Sequence, residues 1–208
     1  MSTTPEVNSA PATDRKGRIF TQFRSLYRLF RKYTTGEWFY LGDLAWFTGL
    51  LLTFHFSYHA VADPLLAWPP VQAIRLGLAE HISEMSYLLC KWAGIAPQGV
   101  ENRLIRFENG RGLLVVEGCS GFKQLLQSAF LFALYPGSAR HKLWFVPVAL
   151  LIVHATNVLR IATLTAWSGL DWPFWQFMHD YPMRGLYFMV IFALWYGWNE
   201  RRTRQRHS

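Results

Sequence analysis

The amino-acid sequence predicts an all-α protein, a polytopic bundle of about four to five transmembrane helices with a short outer β-hairpin and an amphipathic segment. Three observations support this fold class. Only 16% of the 208 residues are charged and 51% are hydrophobic, whereas soluble domains carry about 25% charged residues. Aromatic residues make up 17% of the chain, and Trp and Tyr favour membrane interfaces. Four apolar stretches approach the length of about 20 helical residues that a bilayer requires.

The net charge of +8 would also suit a nucleic-acid-binding protein, so the positions of the basic residues decide between the two. Seven Lys and Arg lie within residues 15–32 and four within residues 201–206. Basic clusters beside apolar segments are the positive-inside signature of membrane proteins. We therefore expect the lipid bilayer as a partner, and no nucleic acid.

Residues 1–36 are predicted to form a cytoplasmic basic arm. A Ser/Thr/Pro-rich stretch leads into a helix over residues 20–33 with an aromatic side and several Arg, which is typical of an interfacial amphipathic helix. No apolar run follows the first residues, so we expect no removable signal peptide. Residues 37–200 form the predicted membrane-embedded domain, and residues 201–208 a basic cytoplasmic tail.

The predicted spans cover residues 38–62, 122–135, 143–167 and 183–198. The second span is short for a bilayer of about 30 Å. The fourth contains Arg184 near its start, so its boundary is uncertain by several residues.

The segment between the first two spans, residues 64–116, mixes apolar and charged side chains. Its first part is predicted to be an amphipathic helix that lies on the membrane or folds against the bundle, and a fifth, weakly apolar span is the alternative. Farther along, apolar residues 104–107 and 113–116 flank the pair Asn109-Gly110. An Asn-Gly pair between apolar runs is a strong β-hairpin signal.

The distribution of basic residues predicts the topology. With four spans and an inner N-terminus, the inward segments hold thirteen Lys and Arg, and the longer outward segments hold five. This bias favours cytoplasmic termini on both ends. A fifth span would place the two basic ends on opposite sides, which the charges argue against.

Cys119 is the first candidate catalytic residue, because it lies directly before the second span. Backbone N–H groups at a helix N-terminus and the positive end of the helix favour a thiolate, which is the nucleophilic form. The neighbours Gly118, Ser120 and Gly121 would let a substrate backbone approach. The alternative is that Cys119 is a small buried hydrophobe.

Cys90 lies in an apolar stretch and is interpreted as structural. A Cys90–Cys119 disulfide in an oxidising outer compartment remains an alternative.

Arg160 is the second candidate, because an Arg inside a membrane helix is costly and by default indicates function. Asn157 lies three residues earlier, so the two side chains share one helix face. At 1.5 Å per residue, Arg160 lies about 10 Å below the outer end of the third span. The alternative is that Arg160 reaches the surface or pairs structurally with a carboxylate.

His179 is the third candidate, in the outer connection before the last span. Histidine is the usual general acid or base at neutral pH, although a lone loop His is more often simply solvated. Cys119, Arg160 and His179 are far apart in sequence, yet the charge-derived topology places all three at the outer membrane boundary. That convergence favours one shared site facing outward.

At these residues the sequence resembles the exosortase/archaeosortase family, membrane-embedded cysteine transpeptidases of bacteria and archaea. The resemblance covers roughly residues 104–198. It rests on Cys119-Ser120-Gly121 opening a span, on Asn157-Val158-Leu159-Arg160-Ile161 inside the next, and on His179 before a final span with Gly185 and Phe188. Arg184 is a rival for the role of His179, and the chain is short for the family.

The resemblance implies a plasma-membrane cysteine protease or transpeptidase with catalytic Cys119, Arg160 and His179. Its substrates would be secreted proteins with a C-terminal sorting tail, made of a short motif, a transmembrane helix and a basic cluster. No metal-ligand spacing occurs in the sequence, and we expect neither a metal nor another cofactor.

Two rival classes remain open. One is a non-catalytic membrane assembly factor for envelope polysaccharide or surface-protein export, in which Cys119 is inert. The other is a small transporter, which the single mid-span charge of Arg160 supports poorly because an ion path usually needs several.

Overall fold

The computed structural model of the chain describes Ser25 and residues 38–95, 97–108, 110–168 and 172–207. The predicted arm over residues 1–36, with its amphipathic helix, lies outside these residues apart from Ser25.

The described chain is mostly helical. Its helices are α1 (Trp38–Ala67), α2 (Pro69–Trp92), α3 (Phe122–Leu134), α4 (Ala139–Ala166), α5 (Trp172–Asp180) and α6 (Pro182–His207). Three short strands lie between α2 and α3: β1 (Gly99–Glu101), β2 (Leu104–Arg106) and β3 (Gly112–Leu114). A single 3₁₀ turn, Glu117–Cys119, follows β3.

Proline and glycine set several of the helix boundaries. Pro69 and Pro70 occupy the first positions of α2, and Pro182 opens α6, positions where the missing N–H costs nothing. The turn between α3 and α4 contains Gly137, whose missing Cβ leaves room for the Trp198 side chain.

The predicted hairpin is present, and each of its strands has three residues where four were expected. β2 pairs antiparallel with β3, with Leu104 opposite Leu114 and Arg106 opposite Gly112. The sequence analysis missed β1, which pairs with the other edge of β2 and completes a sheet of order β1-β2-β3. β1 has only three residues, too few for an alternating pattern to stand out.

Helix α4 is the centre of the fold, because it contributes to two separate apolar clusters. Its first half supplies Phe145, Ala149 and Val153 to an aromatic-rich cluster with α1, α3 and α6. Its last turns supply Ile161 and Leu164 to a second cluster with α2 and the sheet. Asn157 and Arg160 lie in the stretch of α4 between these two groups.

Helix α2 folds against the bundle, one of the arrangements predicted for the segment 64–116. The Ser86 hydroxyl donates to the Val158 carbonyl of α4 at 3.2 Å, and the Cys90 thiol donates to the Ala162 carbonyl at 3.5 Å. Cys90 and Cys119 are both free thiols, so the alternative of a disulfide between them is wrong.

Among the described residues, α4 is the one helix whose length and apolar composition suit a membrane crossing. It exposes 78% of Leu143 and 67% of Leu151 while it buries polar side chains, an arrangement that suits surrounding lipid. Helix α3 has 13 residues, or about 20 Å, which is short of a core of about 30 Å. The count of four to five spans and the cytoplasmic termini remain predictions.

Candidate active site

Asn157 and Arg160 form the centre of the candidate site. They lie one turn apart on α4, between the two apolar clusters, and only 1% of Asn157 and 7% of Arg160 is exposed. Polar groups buried to this degree require partners. Their partners come from three other parts of the chain: the Cys119 loop, helix α5 with His179, and helix α6.

The loop carrying Cys119 is attached to Asn157. The Asn157 amide nitrogen Nδ2 donates to the Cys119 carbonyl oxygen at 2.9 Å. Gly121, two residues later, has a φ of +71° and caps α3; a Cβ there would lie 2.6 Å from Asn157 Nδ2. Glycine is therefore required at residue 121 by both the backbone conformation and the approach of Asn157. The Cys119 side chain is partly buried beside the second cluster.

The two other residues of the predicted loop differ in their surroundings. Ser120 is buried, and its hydroxyl oxygen accepts a hydrogen bond from the Phe122 N–H at 3.4 Å, at the start of α3. Gly118 is exposed, and a Cβ built on it meets nothing within 4 Å.

His179 contacts Arg160 directly. Arg160 Nη2 lies 3.1 Å from His179 Nε2, and His179 Nδ1 lies 3.1 Å from Asp180 Oδ1. A guanidinium only donates hydrogen bonds, so Nε2 accepts and the proton is on Nδ1, directed at Asp180. This pattern describes a neutral imidazole oriented between a cation and a carboxylate.

Trp175 supports the imidazole from one side. Its ring stacks on the His179 ring, with centroids 5.3 Å apart and planes at 12°. The Trp175 indole N–H donates to the Leu164 carbonyl of α4 at 3.1 Å. Helix α5 is thereby attached to α4 within about one turn of Arg160.

Tyr187 of α6 joins both halves of the site. Its hydroxyl donates to Asn157 Oδ1, and the Arg160 guanidinium lies 5.9 Å from the centre of its ring. Asn157, Arg160 and Tyr187 thus connect the backbone of the Cys119 loop with His179.

Arg184 is placed differently from the other candidates. It donates to Asp180 Oδ1 at 3.1 Å and its side chain is 65% exposed. Asp180 lies between Arg184 and His179 and contacts both, and in the described part of the chain Arg184 makes no contact with Arg160. The geometry therefore favours His179 over Arg184 as the partner of Arg160.

Sequence reasoning missed Tyr187, Asp180 and Trp175. Asp180 carried a usable signal, because it is adjacent to a candidate His. Tyr187 and Trp175 carried none, since each is one of many aromatic residues in apolar segments.

Within the part of the chain that the structure describes, Arg160 has no acidic partner: no carboxylate lies within ion-pair distance of it, and its Nε–H is buried without a hydrogen-bond partner. A buried, uncompensated cation is unfavourable. The site therefore has an electrostatic preference for an additional anion next to Arg160.

Cys90 offers a contrast to Cys119. It is 1% exposed, and burial raises the pKa of its thiol, which keeps it in the less reactive protonated form. In the described ranges, no three His, Cys, Asp or Glu side chains cluster closely enough to hold a metal ion.

Two surface cavities lie near the sheet. One of about 320 Å³ adjoins the Cys119 loop and is lined by Arg103, Leu114, Val116, Glu117 and Gly118. A larger one of about 590 Å³ lies between α2 and β1 and includes none of the three catalytic candidates.

Comparison with known proteins agrees with the resemblance seen in the sequence. The model of the transmembrane exosortase family matches residues 38–198, which include every candidate residue. No curated protein and no solved structure matches the chain.

Proposed function

Because the chain belongs to the transmembrane exosortase family, we propose that it is an integral membrane cysteine protease or transpeptidase. Its substrates are secreted proteins with a C-terminal sorting tail, and cleavage passes through a thioacyl intermediate. Cys119 is the nucleophile, Arg160 the electrostatic stabiliser and His179 the general acid and base.

The observation that carries this proposal is the uncompensated charge of Arg160. The guanidinium is buried, its described partners are neutral, and its Nε–H is free to donate. A Cys119 thiolate, or the oxyanion formed when it attacks a carbonyl, would supply the missing negative charge. In a site of low dielectric, a fixed cation stabilises such an anion far more than it would in water.

In the acylation step, the Cys119 thiol proton passes to His179 Nε2 and the sulfur attacks the scissile carbonyl carbon. The C–N bond then breaks, and the imidazolium returns that proton to the leaving amine. For Nε2 to accept a proton, its hydrogen bond with Arg160 must break. The Arg160 N–H groups then turn to the oxyanion. The hydrogen bond from Nδ1 to Asp180 keeps the ring oriented during this exchange.

In the second step, His179 takes a proton from the incoming nucleophile, which attacks the thioester carbon. The C–S bond then breaks, and the imidazolium returns that proton to the Cys119 thiolate. If the nucleophile is water, the protein is a protease. If it is an amine or a lipid headgroup, the protein is a sorting transpeptidase. The enzyme is proposed to act from the plasma membrane, with both termini in the cytoplasm and the site facing outward.

Hydroxylamine trapping tests the thioacyl intermediate. Membranes containing the protein are incubated with a library of secreted reporters, each with a short randomised segment before a transmembrane helix and a basic cluster. Hydroxylamine attacks thioesters, so cleaved reporters should end in a C-terminal hydroxamate that mass spectrometry detects. The product should form with the native chain and with Cys90→Ala, and not with Cys119→Ala.

Hydroxamate formation that persists in Cys119→Ala would contradict the assignment of the nucleophile. If no reporter is cleaved and Cys119 resists thiol reagents, the chain is instead a non-catalytic assembly factor.

A further inference from the structure

Helix α5 carries a stack of three aromatic rings that ends at His179. The rings of Trp172 and Trp175 have centroids 5.5 Å apart and planes at 16°, and those of Trp175 and His179 are 5.3 Å apart at 12°. The stack begins at Trp172, which is 68% exposed, and ends at the ring that contacts Arg160. An aromatic surface thus covers one face of the proposed general acid and base.

The middle ring of the stack is fixed in place by the rest of the fold. The Trp175 indole N–H donates to the Leu164 carbonyl of α4 at 3.1 Å, and its ring packs against the second apolar cluster. Because residues three and four positions apart are neighbours on a helix, the Trp175 ring lies between those of Trp172 and His179. The indole face next to the imidazole therefore has a defined position.

In the resting site, the imidazole is already oriented by hydrogen bonds in its own plane. Nε2 accepts from Arg160 and Nδ1 is directed at Asp180. When Nε2 accepts a proton in the proposed acylation step, the bond to Arg160 breaks and one of these two contacts is lost. The stacked indole is then the contact that keeps the ring from tilting out of that plane.

Proton transfer to His179 also adds a positive charge to a site that is already cationic. Arg160 and Arg184 are cations beside the single anion Asp180, whose Oδ1 accepts from both His179 and Arg184. Asp180 therefore compensates the new imidazolium only in part. The face of an indole is electron-rich and attracts a cation within about 6 Å of the ring centroid, a condition that the Trp175 ring meets.

We propose that Trp175 is a positioning residue for the proposed reaction. Its indole face stabilises the His179 imidazolium and keeps that ring oriented after the hydrogen bond to Arg160 breaks, while Trp172 supports Trp175 from the exposed side. The inference rests on the proposed function, in which His179 becomes cationic in both steps. It adds to that function an aromatic residue that acts through His179 and does not touch the substrate.

Tetrafluorotryptophan at residue 175 tests the attraction between the indole face and the imidazolium. The fluorine atoms withdraw electron density from the ring face but keep the shape of the side chain and the N–H that binds Leu164. With a reporter that the native protein cleaves, hydroxamate release should show a kcat lowered about threefold to thirtyfold. KM and the thermal midpoint should stay unchanged, which a merely structural role of Trp175 would also predict for kcat.

Two ordinary substitutions separate the ring face from the hydrogen bond. Trp175→Phe and Trp175→Leu both lose the bond to Leu164, so both should lower the thermal midpoint. Trp175→Phe keeps an aromatic face and should retain kcat within about threefold of the native value. Trp175→Leu should lower kcat about tenfold to a hundredfold, because the imidazolium loses both its stabilisation and its orientation.

Two controls use other tryptophans. Tetrafluorotryptophan at residue 92, where the native Trp is 86% exposed at the end of α2, should leave kcat unchanged. Trp172→Leu removes the outer ring of the stack but leaves the indole face on His179, so it should lower kcat less than Trp175→Leu does.

Three results would overturn the inference and leave the proposed function intact. The first is an unchanged kcat with tetrafluorotryptophan at residue 175, a variant that keeps the native shape and so informs even if Trp175→Leu does not fold. The second is an equal loss of kcat in Trp175→Phe and Trp175→Leu that follows the thermal midpoint. The third is a change confined to KM, which would place Trp175 against the substrate. Absence of any Cys119-dependent cleavage would instead overturn the proposed function, and this inference with it.

Discussion

The hydrogen bonds that run from Tyr187 through Asn157 to the Cys119 carbonyl should be energetically coupled. Tyr187 and Asn157 are 4% and 1% exposed, so neither has ready access to water. Asn157→Leu removes both hydrogen bonds with little change in volume. Tyr187→Phe removes only the bond to Asn157 Oδ1.

The size of the coupling follows from what each change leaves unpaired. In the native background, Tyr187→Phe leaves Asn157 Oδ1 buried without its donor. In the Asn157→Leu background the Tyr187 hydroxyl is already unpaired, so its removal costs little. Measured couplings between hydrogen-bonded side chains in membranes are about 0.6–1.7 kcal/mol, and we expect about 1 kcal/mol here because both groups are buried. For a chain of this length this corresponds to about 2–4 °C in thermal midpoint.

Thermal unfolding of the four proteins of this double-mutant cycle, in the same detergent, measures the coupling. Tyr187→Phe should lower the midpoint by about 2–4 °C in the native background and by less than half as much in Asn157→Leu. Equal losses in both backgrounds would refute the reasoning, because independent residues have additive effects. Cleavage provides a second measurement: Asn157→Leu releases the Cys119 carbonyl and should slow turnover about a hundredfold, as small displacements of reacting groups do.

Three further predictions concern individual residues. Gly121→Ala should destabilise the protein by at least about 1–2 kcal/mol in thermal or denaturant unfolding, because a Cβ there combines a left-handed backbone with a clash against Asn157; unchanged stability would contradict the assigned conformation. Arg184→Gln should change stability by about 0–1 kcal/mol, since its ion pair with Asp180 is exposed, and should slow cleavage only a few-fold; complete loss of cleavage would place Arg184 in contact with substrate. A membrane-impermeant maleimide applied to intact cells should label the native protein but not Cys119→Ala, and labelling only after the cells are broken open would contradict the outward orientation.

Much of the secondary structure could be predicted because its causes are local. Apolar runs indicated α1, α3, α4 and α6, and the Asn109-Gly110 pair indicated the hairpin. The number of helices that cross a membrane could not be predicted from the sequence, because the burial of α2 and α3 depends on the helices packed beside them. β1 was missed for the same reason: its three residues form a strand because β2 lies beside them.

The candidate residues were recognisable where their chemistry conflicted with their surroundings. Arg160 and Asn157 are polar residues in an apolar helix, and Cys119 is a thiol between glycines at a helix start. Tyr187 does not stand out as an aromatic residue in an apolar segment, so only the packing of the helices reveals that its hydroxyl reaches Asn157.

The sequence by itself determined that the chain is apolar, basic at its ends and equipped with a thiol, a guanidinium within an apolar stretch and an imidazole. These are properties of residue types and of local spacing. Only the tertiary structure decided that Arg160 contacts His179 and that Asn157 holds the Cys119 loop. It also decided that Gly118 and Arg103 line a surface cavity, whereas the space beside Gly121 is occupied by the Asn157 side chain. Such distinctions depend on contacts between residues far apart in the sequence, as between Asn157 and Cys119, which are 38 positions apart, and no local pattern encodes them.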